Sequence, residues 1–191
     1  VTLTGEQEAF YIYSGTGIIE AGGKTAELYN GICFLVPEGL EFTMTNTAEQ
    51  PLEMYLINEP VPAGFTPNTD ILVKDEEEIP VLSNDGHWSH IVKKLFNTGD
   101  GLATVENILT VSFDPMTIGH PHTHGKGVEE VWTAVKGTSA AFLGKEVRWQ
   151  PPGTAYMIPP DGKTHHSNIN NSGVRTKMLY FARFKGEGKF D

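Results

Sequence analysis

The chain has 191 residues, of which 39% are hydrophobic and 20% are charged, and its formal net charge is −10. This composition is ordinary for a globular protein with a buried core. The negative charge argues against nucleic acid as a partner, because phosphates are neutralised by Lys and Arg, and against an anionic membrane surface. The sequence has no run of about 18 apolar residues that could cross a bilayer. We therefore expect a soluble protein.

Cys33 is the only cysteine, so the chain cannot form an internal disulfide. It lies in an apolar run, where a buried free thiol is expected rather than a nucleophile. The sequence shows no signal peptide, but it begins at Val1 rather than Met. The cytoplasm is the default expectation for its compartment, and secretion is the alternative if a leader has been removed.

Short runs rich in Val, Ile, Phe, Tyr and Thr recur along the chain between clusters of Gly, Pro and Asn. This pattern is typical of an all-β sandwich or barrel. In chain order, the clearest predicted strands are residues 10–13, 32–36, 52–57, 131–135, 155–158 and 177–184. Residues 88–96 fit two helical turns as well as a strand. The acidic run 75–78 is expected to be a solvated linker.

The chain also contains an internal repeat. Residues 8–15 (EAFYIYSG) match residues 130–137 (EVWTAVKG), since each block has a Glu, six mostly apolar residues and a Gly. Residues 31–39 (GICFLVPEG) match residues 153–162 (GTAYMIPPDG). In both copies the second block begins 16 residues after the Gly that closes the first, from 15 to 31 and from 137 to 153. The sequence therefore predicts two units of one design.

Residues 119–130 contain three histidines and two glutamates. Side chains at i and i+2 of an extended strand point to one face, so His122 can approach an ion together with His124 or with His120. A carboxylate and a third imidazole from later strands would complete the set. The candidates for these two positions are Glu129 or Glu130, and His165 or His166. Three imidazoles and one carboxylate suit Mn, Fe, Co, Ni, Cu or Zn.

These blocks resemble the two sequence motifs of the cupin superfamily. Residues 119–137 are similar to Gly-x5-His-x-His-x3–4-Glu-x6-Gly, and residues 153–170 are similar to Gly-x5-Pro-x-Gly-x2-His-x3-Asn. The resemblance implies a double-stranded β-helix, the jelly-roll barrel of cupins, with two units in tandem. The implied domains are a partial, degenerate cupin unit at 1–60, a linker at 61–85 and a metal-binding cupin domain at 86–191.

The resemblance further implies one divalent transition metal in the second unit. Its ligands would be His122, His124, Glu130 and His166. Glu130 keeps the spacing to the glycine that ends the first motif, although Glu129 fits the distance from the histidine pair. His166 keeps the spacing to the motif's asparagine, although His165 fits the distance from the preceding glycine. We prefer Glu130 over Glu129 and His166 over His165, because a slip of one residue in a strand turns a side chain to the opposite face.

The first unit differs at the ligand position of its second motif, where Phe42 stands in place of histidine. Its Glu8 is kept, but the chain begins too late to include the first histidine pair. Phenylalanine offers no lone pair to an ion. We therefore expect no metal in the first unit, and a role for it in packing, dimerisation or closing a pocket.

The resemblance implies a metal-dependent enzyme of isomerase or lyase type that acts on a small polar substrate, such as a sugar or sugar acid. An Fe-dependent dioxygenase and a non-catalytic small-molecule-binding protein are the alternatives. The expected proton-transfer residues are His120 and Glu129, and the expected substrate contacts are Trp132, Tyr156 and Phe181. His87 and His90 are interpreted as surface or packing histidines. A homodimer is expected, because jelly-roll units leave sheet edges that a partner can cover.

Overall fold

The computed structural model describes residues 1–82 and 87–184, and nearly all of its regular structure is antiparallel β-sheet. The chain divides into two compact units. The first unit consists of residues 1–79 and 98–104, and the second of residues 80–97 and 105–191. Within the described ranges, no helix has the length and apolar character needed to cross a bilayer.

The first unit is a pair of antiparallel sheets. Its strands are β1 (Glu6–Ser14), β2 (Gly17–Ala21), β3 (Lys24–Leu28), β4 (Ile32–Val36), β5 (Phe42–Asn46), β6 (Glu53–Pro60) and β7 (Leu72–Asp75). One sheet has the order β6-β1-β4-β7 and the other the order β3-β2-β5. Both contribute buried apolar side chains to one core, in which the rings of Phe10 and Phe34 stack at 4.7 Å.

The second unit has the same construction with more strands. They are β8 (Val81–Leu82), β9 (Ile91–Asn97), β10 (Asn107–Phe113), β11 (Thr117–Ile118), β12 (Val128–Lys136), β13 (Ser139–Leu143), β14 (Glu146–Gln150), β15 (Ala155–Ile158), β16 (His166–Asn170) and β17 (Thr176–Phe184). The sheets have the orders β15-β12-β17-β10-β9-β8 and β11-β16-β13-β14. The ambiguous stretch 88–96 therefore ends in a strand. The predicted all-β jelly-roll fold is confirmed.

The internal repeat reappears as matching strand register. Strand β1 pairs with β4 and β6, and β12 pairs with β15 and β17. Glu8 lies opposite Val36 in the first unit, as Glu130 lies opposite Ile158 in the second. Phe42 begins β5, and His166 begins β16. The two positions compared in the sequence are thus equivalent in the folded units as well.

Two repeated residue types shape equivalent turns in both units. Gly15 and Gly137 each close the first repeated block with a positive φ, of 84° and 73°, which residues with a side chain rarely adopt. Asn46 and Asn170 each end a strand and bond the backbone of the following turn through their side-chain amides. These residues maintain the backbone path whether or not a unit has metal-ligating histidines.

The acidic run is not a solvated linker, contrary to expectation. Glu76 to Glu78 form a short 3-10 helix that Asp75 caps, and Glu76 is buried. The Tyr11 hydroxyl donates to Glu76 Oε2 at 2.6 Å, and burial raises the pKa of that tyrosine above its usual range. The run anchors β7 to the first unit instead of separating two domains.

The predicted domain division stays a prediction. Strand β7 falls inside the predicted linker, 61–85, yet it pairs with β4 in the first unit. Residues 83–85 of that linker, and residues 86 and 185–191 of the predicted C-terminal domain, lie outside the described residues. Cys33 is confirmed as a buried free thiol, and burial raises its pKa to about 12.

Candidate metal centre

Two of the predicted ligands are held opposite each other by their own backbones. The His122 N–H donates to the His166 carbonyl at 3.2 Å, and the His166 N–H donates to the His122 carbonyl at 3.0 Å. Residues paired in this way place their side chains on the same face of the sheet. The two ring centroids lie 4.4 Å apart, and His166 is only 1% exposed.

His124 joins this pair, and Glu130 lies against two of the three rings. Ligand nitrogens of His122, His124 and His166 lie within 4.8 Å of one another. Glu130 Oε1 is 2.7 Å from His124 Nε2, and Glu130 Oε2 is 3.3 Å from His166 Nε2. The structure thus brings together the four residues that the sequence selected as one ligand set.

The Glu130 carboxylate is buried and held by two further donors. Trp132 Nε1 donates to Oε2 at 3.0 Å, and the Tyr180 hydroxyl donates to Oε1 at 2.7 Å. Burial by itself would raise the pKa of Glu130, but protons on the facing nitrogens of His124 and His166, together with the Trp132 N–H, outweigh it and hold the pKa below its usual range; a cation in place of those two protons would act in the same direction. Glu130 is therefore an oriented carboxylate that stays ionised.

The imidazole nitrogens that face Glu130 have no hydrogen-bond partner of their own. Nε2 of His124 and Nε2 of His166 are both buried, and their close contacts with the carboxylate lack the geometry of an N–H···O hydrogen bond. Buried polar atoms normally have a partner, so two neighbouring exceptions beside a carboxylate require an explanation. Lone pairs on both nitrogens, directed at a shared cation, would provide one.

His122 is also prepared to act as a neutral ligand. Its Nδ1 lies 2.7 Å from the His120 carbonyl oxygen, which can only accept, so Nδ1 carries the proton and Nε2 keeps its lone pair. Burial lowers the pKa of His122 to about 4, and the ring is neutral near pH 7. Neutral imidazoles and a carboxylate form a donor set that divalent transition metals accept.

The two alternative ligands, His165 and Glu129, are placed differently from His166 and Glu130. His165 is exposed, whereas its neighbour His166 is buried. Glu129 Oε1 lies 2.9 Å from Nε of Arg183, its partner in β17, and so occupies the other face of β12 from Glu130. Of the two predicted proton-transfer residues, His120 is therefore the one beside the imidazoles, with its ring 5.4 Å from that of His122.

The three predicted substrate contacts are placed differently from one another. Trp132 is buried beside Glu130. The Tyr156 ring lies nearly parallel to the Trp132 ring, with centroids 6.4 Å apart, and its hydroxyl donates to Asn168 at 3.0 Å. Phe181 pairs with Val131, a neighbour of Trp132, so its side chain is on the opposite face of the sheet. The structure thus places Trp132 against Glu130 and Tyr156 against Trp132, but it places Phe181 on the other face of the sheet.

Tyr180 and His87 lie closer to the candidate site than the sequence suggested. Tyr180 lies opposite Trp132 in the β12–β17 pair, and that register was the signal that could have selected it over Phe181. The His87 ring lies 4.7 Å from the His122 ring. No sequence periodicity links these two histidines, because they lie on separate segments that only the fold brings together.

Comparison with known families agrees with this architecture. Residues 4–58 match the family model of the cupin domain. The chain therefore contains a cupin domain. The match lies in the first unit, although the motif resemblance in the sequence was stronger in the second. No curated protein matches this chain in sequence.

Solved structures resemble this chain over nearly its whole length. A putative glyoxylate-induced protein from Pseudomonas aeruginosa matches with a TM-score of 0.76 at 14% identity, over 95% of this chain and 67% of that one. AerE from Microcystis aeruginosa has a TM-score of 0.73 at 12% identity, over 96% and 80%. Oxalate decarboxylase from Bacillus subtilis has a TM-score of 0.71 at 12% identity, over 97% and 65%. At these identities the likeness shows the fold alone.

Proposed function

We propose that the second unit is a metal-dependent enzyme site of lyase or isomerase type, with one divalent transition metal on His122, His124, Glu130 and His166. The observation that carries the proposal is the pair of buried, unpartnered Nε2 atoms on His124 and His166, both facing an ionised Glu130. A cation would receive three neutral nitrogens and one negative charge from this set. The net charge near the ion would then be +1.

The residues around the carboxylate have separate tasks in this proposal. Trp132 and Tyr180 fix the two oxygens of Glu130, so the carboxylate need not reorganise when an ion binds. Trp132 and Tyr156 form an aromatic wall that keeps water from the buried side of the site. His120 is the proposed proton carrier. When bound, the metal would act as a Lewis acid that polarises a carbonyl or carboxylate oxygen.

The proposed substrate is a small molecule with adjacent oxygen atoms, such as a sugar acid or another hydroxy or keto acid. Such a compound can replace solvent on an ion with two of its oxygens. Two similar structures fit this class by their names, the glyoxylate-induced protein and oxalate decarboxylase, and the latter is described with Mn(II) centres. We therefore rank Mn²⁺ first among the metals to be tested.

Metal analysis of matched histidine variants tests the ligand set. His166→Ala removes a buried ring that contacts Glu130, whereas His165→Ala removes an exposed neighbour. We expect about one equivalent of metal in the wild type and in His165→Ala after purification and reloading with Mn²⁺, and strong loss in His166→Ala. Retention in His166→Ala together with loss in His165→Ala would contradict the proposed register.

The reaction class is tested on the loaded protein with a panel of small hydroxy acids, keto acids and sugars. Turnover without oxygen consumption supports the lyase or isomerase proposal. Bound Fe with oxygen uptake would instead indicate a dioxygenase. Tight ligand binding without turnover, under conditions where the metal is present in full, would indicate a binding protein.

A further inference from the structure

A second group of three imidazoles shares His122 with the candidate metal centre. Ligand nitrogens of His87, His120 and His122 lie within 4.8 Å of one another, and all three side chains are half-buried. We call these residues the outer trio, and His122, His124 and His166 with Glu130 the inner set. Two nitrogens that bind one ion lie at most about 4.2 Å apart, twice a metal–nitrogen distance of about 2.1 Å, so small side-chain shifts would suffice.

The rings of the outer trio lie close to one another at differing angles. The His87 ring is perpendicular to the His122 ring, with centroids 4.7 Å apart, and the His120 ring is nearly parallel to it at 5.4 Å. His120 Nδ1 is buried and has no hydrogen-bond partner in the described part of the chain. The Trp88 ring packs on His120 at 4.3 Å and is itself 56% exposed, so this group lies nearer to solvent than Glu130 does.

His122 is common to both groups but can serve only one ion at a time. Its Nδ1 donates to the His120 carbonyl at 2.7 Å, which leaves one lone pair, on Nε2. One lone pair forms one coordinate bond. The inner set and the outer trio therefore compete for His122, and an ion with three imidazoles in one group excludes an ion with three in the other.

We propose that the outer trio is a second, alternative position for a divalent transition metal, occupied in exchange with the inner position through His122. The inner position rests on the proposed function, whereas the outer position rests on the geometry of the outer trio alone. The outer trio offers three neutral nitrogens without a carboxylate, a set suited to Co²⁺, Ni²⁺, Cu²⁺ or Zn²⁺. The inner set adds the negative charge of Glu130 and so holds the ion more tightly. The outer position then receives the ion from solvent and passes it inward.

Titration of metal-free protein with Co²⁺ tests the proposal, because the visible spectrum of Co²⁺ reports nitrogen ligands directly. The double variant His124→Ala/His166→Ala leaves the inner set with one imidazole but keeps the outer trio. We expect the wild type to bind one equivalent, and this double variant to bind one equivalent more weakly. Adding His87→Ala to the double variant should abolish binding. Adding His90→Ala instead should not, since His90 lies near His87 but belongs to neither group.

The outcomes separate the outer trio from the inner set. Loss of all Co²⁺ binding in the folded double variant, or retention of binding after His87→Ala is added, would overturn the outer position. Two equivalents bound by the wild type would overturn the sharing of His122. Wild-type binding that is abolished by His87→Ala alone but unchanged in the double variant would overturn the inner set and leave the outer position standing. Circular dichroism and tryptophan fluorescence confirm folding of each variant.

Discussion

Asn170→Ala should strongly destabilise the second unit. The Asn170 side chain is fully buried at the end of β16. The two N–H groups of its amide are shared among the carbonyls of Phe113 at 2.9 Å, Asp114 at 3.1 Å and Val174 at 2.8 Å, while its oxygen accepts from the Ser172 N–H at 3.0 Å. Alanine removes all of these bonds, and the Phe113 carbonyl, whose bond is fully buried, loses a partner that water cannot replace.

The magnitude follows from the number of bonds and their burial. A net hydrogen bond is worth roughly 1 kcal/mol, and a buried group left unpaired costs about 1–3 kcal/mol. We therefore expect the variant to lose about 3 kcal/mol of unfolding free energy. Asn46→Ala is the matched control, since Asn46 has the same position in the first unit but is exposed, and its side chain bonds the backbones of Gln50 and Ala48. Its loss should be about 1 kcal/mol or less.

Urea unfolding is followed by tryptophan fluorescence, which reports on the second unit selectively, and by circular dichroism, which reports on both units. All three tryptophans, Trp88, Trp132 and Trp149, belong to that unit, and Trp132 is buried. Excess chelator removes any contribution from metal. With a slope of about 2 kcal/mol per molar urea, the midpoint should fall by about 1.5 M in Asn170→Ala. An unchanged midpoint in that variant, or an equal fall in Asn46→Ala, would refute the reasoning.

Further predictions concern a turn, a thiol and the carboxylate's support. Gly137→Ala should lower the urea midpoint more than Gly153→Ala, because both have a positive φ but a methyl group at 137 would lie 2.9 Å from a threonine side chain, whereas one at 153 meets nothing. Cys33 should react with a thiol reagent at pH 8 only after denaturation, since it is buried with its pKa raised to about 12; rapid reaction of the native protein would contradict this. Tyr180→Phe should destabilise the chelator-treated second unit by about 2 kcal/mol, because Glu130 stays charged and loses a donor; added Mn²⁺ should restore part of the urea midpoint.

Much of the fold could be predicted from the sequence, because it depends on local patterns of residues. Each predicted strand exists, because short apolar runs of strand length between turn-forming residues indicate a strand without distant information. The choice of His166 over His165 was accessible for the same reason. Side chains alternate along a strand, and the spacing from His166 to the motif asparagine, Asn170, spans a single strand.

The errors arose where a partner lies far away in the sequence. Glu76 was expected in solvent, but Tyr11, 65 residues earlier, provides a buried hydroxyl for it. Phe181 was chosen over Tyr180 as a site residue, yet the face each presents depends on how β17 aligns with β12. His87 was interpreted as a surface or packing histidine, and nothing in its own segment indicated proximity to His122. Composition and spacing contain no information about these pairings.

The two units show which parts of the cupin design are structural and which are chemical. The turn glycines and the strand-ending asparagines are kept in both, since a positive φ or an unpaired backbone group must be accommodated in any unit with this path. The ligand position has no such requirement. Phe42 fills it in the first unit by packing edge-on against Phe10 at 6.2 Å, and His166 fills it in the second beside Glu130. The interior of the barrel accepts either, so a unit can lose its ligand without losing its fold, and only the second unit presents a carboxylate surrounded by unpartnered imidazoles among the described residues.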